Sequence, residues 1–135
     1  MSLKIQIMTP DKIFLKEEAE EIILPTNTGQ IGILKNHAPL ITALDIGVML
    51  FRSQKEWNPI ALMGGFALIK NNQVTILVNE ADSISTINIE TIEEEFLKAK
   101  QKLEEAENTK EKVEANFSFK RERARYQVVS QTKKI

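Results

Sequence analysis

The chain has 135 residues, of which 42% are hydrophobic and 27% charged, and its formal net charge is -1. That length suits one domain, or one domain with an appendage, and is enough to bury an unaided core. The near-balance of charge gives no reason to expect nucleic acid as a general partner, and the absence of cysteine excludes a disulfide scaffold, a thiolate metal site and a cysteine nucleophile.

In chain order, the first segment alternates, with Leu3, Ile5 and Ile7 on one side and Lys4 and Gln6 on the other. That is the period of a strand. It is neither the apolar block of a signal peptide nor an Arg/Ser-rich transit sequence, so the protein is expected to be made where it works or to have lost its presequence. Further β-type runs follow at 21–24, 30–34, 48–52, 57–62, 66–70 and 74–78. Turn chemistry separates them at Thr9-Pro10-Asp11, Asn27-Thr28-Gly29, Asn36-His37-Ala38-Pro39, Asp45-Ile46-Gly47 and Asn71-Asn72. Gly64-Gly65 is read as a bulge or a tight crossing. Many short strands with frequent turns predict a sandwich or barrel, and no helix-length segment intervenes to make a parallel βαβ layout. None of the apolar runs is long enough to span a bilayer.

The chain changes character near residue 88, and from residue 89 onward it has no glycine or proline. Ile92, Phe96, Ala99, Leu103 and Ala106 recur at helical spacing, with Asn88 or Thr91 as the cap and Glu90, Glu93 and Glu94 near the positive helix end. The stripe lapses at Glu107-Asn108-Thr109-Lys110, where Asn108 and Glu111 have capping-box spacing and predict a second helix start. Val113, Phe117, Ala124 and Val128 form its stripe, with Phe119 and Tyr126 beside it. The fold class expected is therefore α+β: a sandwich over 1–87 followed by an antiparallel two-helix hairpin over 88–135. Because many stripe residues are alanine, the hairpin is expected to be held by only a few kcal/mol at about 25 cal/mol per Å². Such a hairpin can detach while the sandwich stays folded.

His37 is the only histidine, so zinc sites and Ser-His-Asp arrangements lack partners, and no G-x-S-x-G elbow accompanies it. A turn histidine bonded to nearby backbone is the preferred reading. There is no phosphate loop of either common type, and Glu93-Glu94-Glu95 is read as a solvated helix face. The second helix stands out. Lys120, Arg121, Arg123, Arg125, Lys133 and Lys134 face only Glu114 and Glu122 from Val113 onward. Two readings stay open: a soluble helix with snorkelling arginines, or a cationic face that docks on an acidic partner. A nucleic-acid or membrane-binding module is disfavoured, since few aromatics accompany the arginines and the helix lacks a bulky apolar face.

The chain resembles the epsilon subunit family of F-type ATP synthases over essentially its whole length. The densest parts are 21–42, with G-x-I-G-I-L-x-N-H-A-P from Gly29 to Pro39, and 61–70 with 74–79. The wording is closest to the plastid and cyanobacterial branch. The resemblance implies a flattened β-sandwich and helical hairpin at the foot of the central stalk. The expected partners are the gamma subunit, the ring of c subunits and, through the tail, the catalytic beta subunits. It implies a noncatalytic rotor part with no membrane span, peripheral to the stromal side of a thylakoid membrane or to the cytoplasmic side of a cyanobacterial one. The loop that contacts the c ring in the family matches Thr26, Asn27, Thr28, Gly29 and Gln30, with His37 on the following loop. Many relatives are acidic where this chain has Gln30. The tail of the family inhibits ATP hydrolysis when extended, and Lys120, Arg121, Arg123 and Arg125 lie where that contact is expected. Some bacterial relatives bind ATP through I/L-D-x-x-R-A. Here Asn88 and Thr91 replace the aspartate and arginine, leaving Arg121 and Arg125 as the matching basic positions. With half of that set missing, no cofactor is expected.

Overall fold

A computed structural model describes residues 2–133 and, of these, the side chains of residues 2–131. The side chains of Lys133 and Lys134 therefore lie outside the described residues. Eight strands come first: β1 (Leu3–Met8), β2 (Ile13–Ala19), β3 (Glu21–Thr26), β4 (Gly29–Leu34), β5 (Leu40–Ser53), β6 (Glu56–Lys70), β7 (Gln73–Val78) and the two-residue β8 (Ala81–Asp82). They are hydrogen-bonded in the order β2-β1-β7-β6-β5-β3-β4, with β8 beside β6. Every pairing is antiparallel except β1 with β7. Three strands separate β1 from β3 in that order, yet Leu3, Ile5 and Ile7 share one core with Ile22, Leu24 and Ile33. The ladder folds over on itself, and this closure makes the flattened β-sandwich.

The strands differ from the sequence expectation in three places. β2 was not anticipated, because Lys16, Glu17 and Glu18 interrupt its apolar alternation. It is an edge strand, where exposed charge blunts pairing with other chains. The β5–β6 hairpin turns at Gln54-Lys55, with φ of 52° and 70°, and contains no glycine to announce it. The expected reversal at Asp45-Ile46-Gly47 is absent. These residues lie inside β5, and the runs 57–62 and 66–70 are one strand, β6. By contrast, Asn71-Asn72 does turn the chain, with φ of 52° and 60°.

The two long strands change phase midway. In β6, Ile60 and Leu62 enter the sandwich core while Ala61 and Met63 face outward, but beyond Gly64-Gly65 it is Ala67 and Ile69 that enter the core. β5 does the same, with Leu44 in the core on one side of Asp45 and Met49 and Phe51 in the core on the other. The pairing keeps one register through this change, from Leu44–Gly65 to Ile46–Met63, so both strands switch face together. Glycine permits it: Gly64 and Gly65 have φ of 74° and 145°. A Cβ on Gly65 would stand 2.0 Å from the carbonyl oxygen of Leu77, so the expected tight crossing is present.

Two helices follow, α1 (Ile92–Glu105) and α2 (Thr109–Lys133). The cap of α2 is as its sequence suggests: the Glu111 N–H donates to Asn108 Oδ1 at 2.8 Å, and the Glu111 carboxylate accepts the Glu107 N–H at 3.1 Å. Neither cap expected for α1 makes such a bond. Thr91 has no side-chain cap, and Asn88 accepts from Glu90 one turn earlier. Phe96 stacks on Phe119 and Tyr126 at centroid distances of 5.7 and 5.1 Å, which joins the helices. The stripe expected on α2 is only half buried. Ala124 and Val128, with Val129, pack on Val48, Ala61 and Met63 of the sheet. Val113 and Phe117 share that face but remain 64% and 46% exposed, because the cluster joining helix to sheet begins only at Ala124.

Candidate functional site

α2 covers the outer face of one half of β5 and β6 and leaves the outer face of the other half bare. That bare half is apolar. Phe66 pairs with Leu77 across the ladder, Leu77 with Met8, and Met8 with Ile13, while Ile41 pairs with Leu68 in the adjacent row. Phe66, Leu77, Ile13, Ile41 and Leu68 are all exposed. Paired residues on one pleated face form a contiguous surface, and a contiguous apolar surface of this kind marks a contact site. Sequence reading missed it. Its signal was the alternation Phe66, Leu68 against Ala67, Ile69, which does not say which set faces inward.

The turn at Thr26, Asn27, Thr28, Gly29 and Gln30 is a tight link between β3 and β4. Thr26 is buried beneath it, and its hydroxyl donates to the Gly29 carbonyl and lies 3.3 Å from that of Thr28. Gly29 has a φ of 122°, in the region glycine favours. Asn27, Thr28, Gly29 and Gln30 are exposed. Gln30 also lines a groove of about 380 Å³ with Pro25, Gly47 and, from α2, Gln127, Ser130 and Gln131. His37 lies elsewhere. It follows the opposite end of β4, whose six residues separate it from the turn by roughly 17 Å at about 3.3 Å per residue. Its Nδ1 donates to the Ala38 carbonyl at 2.7 Å, the local backbone bond expected of a turn histidine. The loop is fastened to the β6–β7 turn, where the Asn36 N–H donates to Asn72 Oδ1 at 2.6 Å. The structure therefore does not bring His37 together with 26–30.

The four cations expected at the inhibitory contact, Lys120, Arg121, Arg123 and Arg125, are likewise divided. Arg125 Nε donates to Asp82 Oδ2 at 2.8 Å and Nη1 to Glu122 Oε1 at 2.8 Å, with Nη2 3.6 Å from Glu80 Oε1. Arg121 Nε lies 3.3 Å from the same Glu122 oxygen. Burial alone lowers the Arg125 pKa, but the hydrogen bond and charge of Asp82, with Glu122 and Glu80, outweigh burial and leave it raised. The guanidinium is therefore firmly charged. Arg123 points away and sits over the Phe119 ring, 5.2 Å from its centroid. Lys120 is half-buried. The division follows from helical geometry: residues 121 and 125 are one turn apart, and 123 lies near the far side. Arg121 and Arg125, the positions matching basic residues of ATP-binding relatives, thus hold carboxylates. Among the described residues no group of three or more His, Cys, Asp or Glu is placed to bind a metal, and no helix is long and apolar enough to cross a membrane.

Residues 2–84 match the family described as ATP synthase, delta/epsilon chain, beta-sandwich domain, and residues 85–130 match its long alpha-helix domain. The chain is 67% identical over 130 residues to the ATP synthase epsilon chain, chloroplastic, of Tupiella akineta, covering 96% of this chain and 100% of that one. It is 58% identical over 141 residues to the corresponding protein of Chlamydomonas reinhardtii, with both chains covered in full. Among solved structures, a chain of the Euglena gracilis mitochondrial ATP synthase (OSCP/F1/c-ring) superimposes with a TM-score of 0.80 at 18% identity, covering 95% of this chain and 81% of that one. A chain of the Tetrahymena thermophila mitochondrial ATP synthase central stalk/c-ring gives 0.63 at 16% identity, covering 94% and 96%. These two share the fold.

Proposed function

Since the chain belongs to the ATP synthase delta/epsilon family, we propose that it works as the epsilon subunit of a plastid F-type enzyme, a noncatalytic part of the central stalk that links gamma to the c ring. The observation that carries this reading is the bare apolar face. Phe66, Leu68, Leu77, Ile41 and Ile13 form a surface that no other described residue covers, suited to a permanent partner. Gamma is the partner assigned to it. The c-ring contact is assigned to the turn at Thr26, Asn27, Thr28, Gly29 and Gln30, where the Gln30 amide supplies hydrogen bonds in place of the acidic residue many relatives carry. His37, on the loop that follows β4, is the other residue assigned to that contact. Residues 1–87 act as the rotor block and 88–135 as the regulatory tail. The site of action is the stromal side of the thylakoid membrane, reached through the complex.

The tail reading follows from weak packing. On α2 the buried residues that meet the sheet are only Ala124, Val128 and Val129, near one end of a 25-residue helix. A ligand or partner that prefers the freed helix can therefore displace it. Freed, α2 presents Lys120, Arg121, Arg123 and Arg125 to acidic segments of the catalytic subunits and restrains hydrolysis. Arg123 gives the cleanest test, because it takes no part in the ion pairs to the sandwich. In the reassembled complex, Arg123→Ala is expected to raise ATP hydrolysis roughly twofold to fivefold, the range of an exposed ion pair. Hydrolysis at the wild-type rate, with assembly intact, removes the inhibitory role from this face.

A further inference from the structure

Arg125 is the one cation described above that crosses from the tail to the sandwich. Its partner Asp82 belongs to β8, which is pinned to β6 through Ala61–Asp82 and Leu62–Ala81 pairing. The pair is 43 residues apart in sequence and closes at 2.8 Å. Around it the charges alternate: Glu80 and Asp82 from the sandwich, then Arg125, Glu122 and Arg121 from α2. Glu122 is 7% exposed, and among the described residues its second carboxylate oxygen has no hydrogen-bond partner. Its charge is tolerable only beside the two arginines.

We propose that Asp82 is an internal substitute for an acidic partner, holding α2 against the sandwich by giving Arg125 the carboxylate contacts that such a partner would otherwise supply. The proposal rests on the reading that the tail leaves the sandwich, and adds what restrains it. When α2 lifts away, Glu122 and Arg121 travel with Arg125, whereas Asp82 and Glu80 stay behind. The exchange is then between two sets of carboxylates for one guanidinium, so charge pairing changes little and a modest difference in affinity decides the state. Loss of Asp82 and loss of Arg125 both loosen the tail, but only the first leaves the arginine available to grip an external acidic surface. Their effects on hydrolysis therefore have opposite signs.

The test uses the full chain with Asp82→Asn. The asparagine keeps an oxygen for the Thr86 hydroxyl, which bonds Asp82 Oδ1 at 3.1 Å, and removes the carboxylate from Arg125. Amide exchange across 119–131 is expected to quicken about tenfold while the strands keep their protection. Unchanged exchange in α2 overturns the proposal. So does an equal quickening when Asp82→Asn is added to Arg125→Gln, because Asp82 would then act by another route. In the reassembled complex, Asp82→Asn is expected to lower ATP hydrolysis and Arg125→Gln to raise it. If α2 loosens but neither variant alters hydrolysis, Asp82 does hold the helix and it is the inhibitory reading of the tail that falls.

Discussion

Replacing Phe66 and Leu77 together by serine removes the centre of the bare apolar face. The two are cross-strand partners, 58% and 50% exposed. Fully burying a side chain of this size contributes about 1.5–3 kcal/mol, so the half still available for a partner is worth roughly 1–1.5 kcal/mol each. The pair then accounts for about 2–3 kcal/mol of binding, a loss of roughly 30-fold to 150-fold in affinity at 1.4 kcal/mol per tenfold. Stability of the free chain should change little, because neither side chain belongs to the core cluster. The assay is calorimetric titration of purified gamma with the full chain, with thermal unfolding of each variant as the control. Leu97→Ser provides a second control: it removes an apolar side chain that is 54% exposed on α1, away from this face. An affinity for gamma unchanged by the double substitution, in a folded protein, refutes the assignment. Equal loss from Leu97→Ser refutes its locality.

Two further predictions concern the scaffold. Gly65→Ala puts a Cβ 2.0 Å from the Leu77 carbonyl oxygen at a φ of 145°, and is expected to cost at least about 3 kcal/mol, lowering Tm by more than about 10 °C; a shift below about 3 °C would contradict the crossing. Asn108→Ala removes the acceptor for the Glu111 N–H, which is expected to cost about 1 kcal/mol and to quicken amide exchange at 109–112 about fivefold, with the sandwich unchanged.

Local features were legible in the residues. The alternation of Leu3, Ile5 and Ile7 gave a strand and its inward face, the α1 stripe named the residues that meet α2, and Asn108 with Glu111 marked the second helix start. Each depends on neighbours a few positions apart. What escaped depends on where the chain returns. Ile60, Ala61, Leu62 and Met63 are all buried because the sandwich core lies on one side and α2 on the other, so no alternation survives to show a strand's faces. Val113 and Phe117 have the spacing of a buried stripe, but spacing does not record where the supporting sheet ends. The 26–30 turn and His37 are close in sequence, and the extended strand between them carries them apart. Arg121, Arg123 and Arg125 looked like one cationic face, but Arg125 is bound by Asp82, 43 positions upstream of it.

The shift of phase at Asp45 and Gly64 has its own consequence. Along β6 the lining of the interior and the exposed apolar face are spelled by the same kind of residues, interleaved. What distinguishes them is a count. Dropping one residue from the kink would trade Phe66 and Leu68 for Ala67 and Ile69 at the surface with composition otherwise untouched. Which side chains this sandwich shows on its bare face is thus written in backbone arithmetic, and a comparison that weighs only residue types is blind to it.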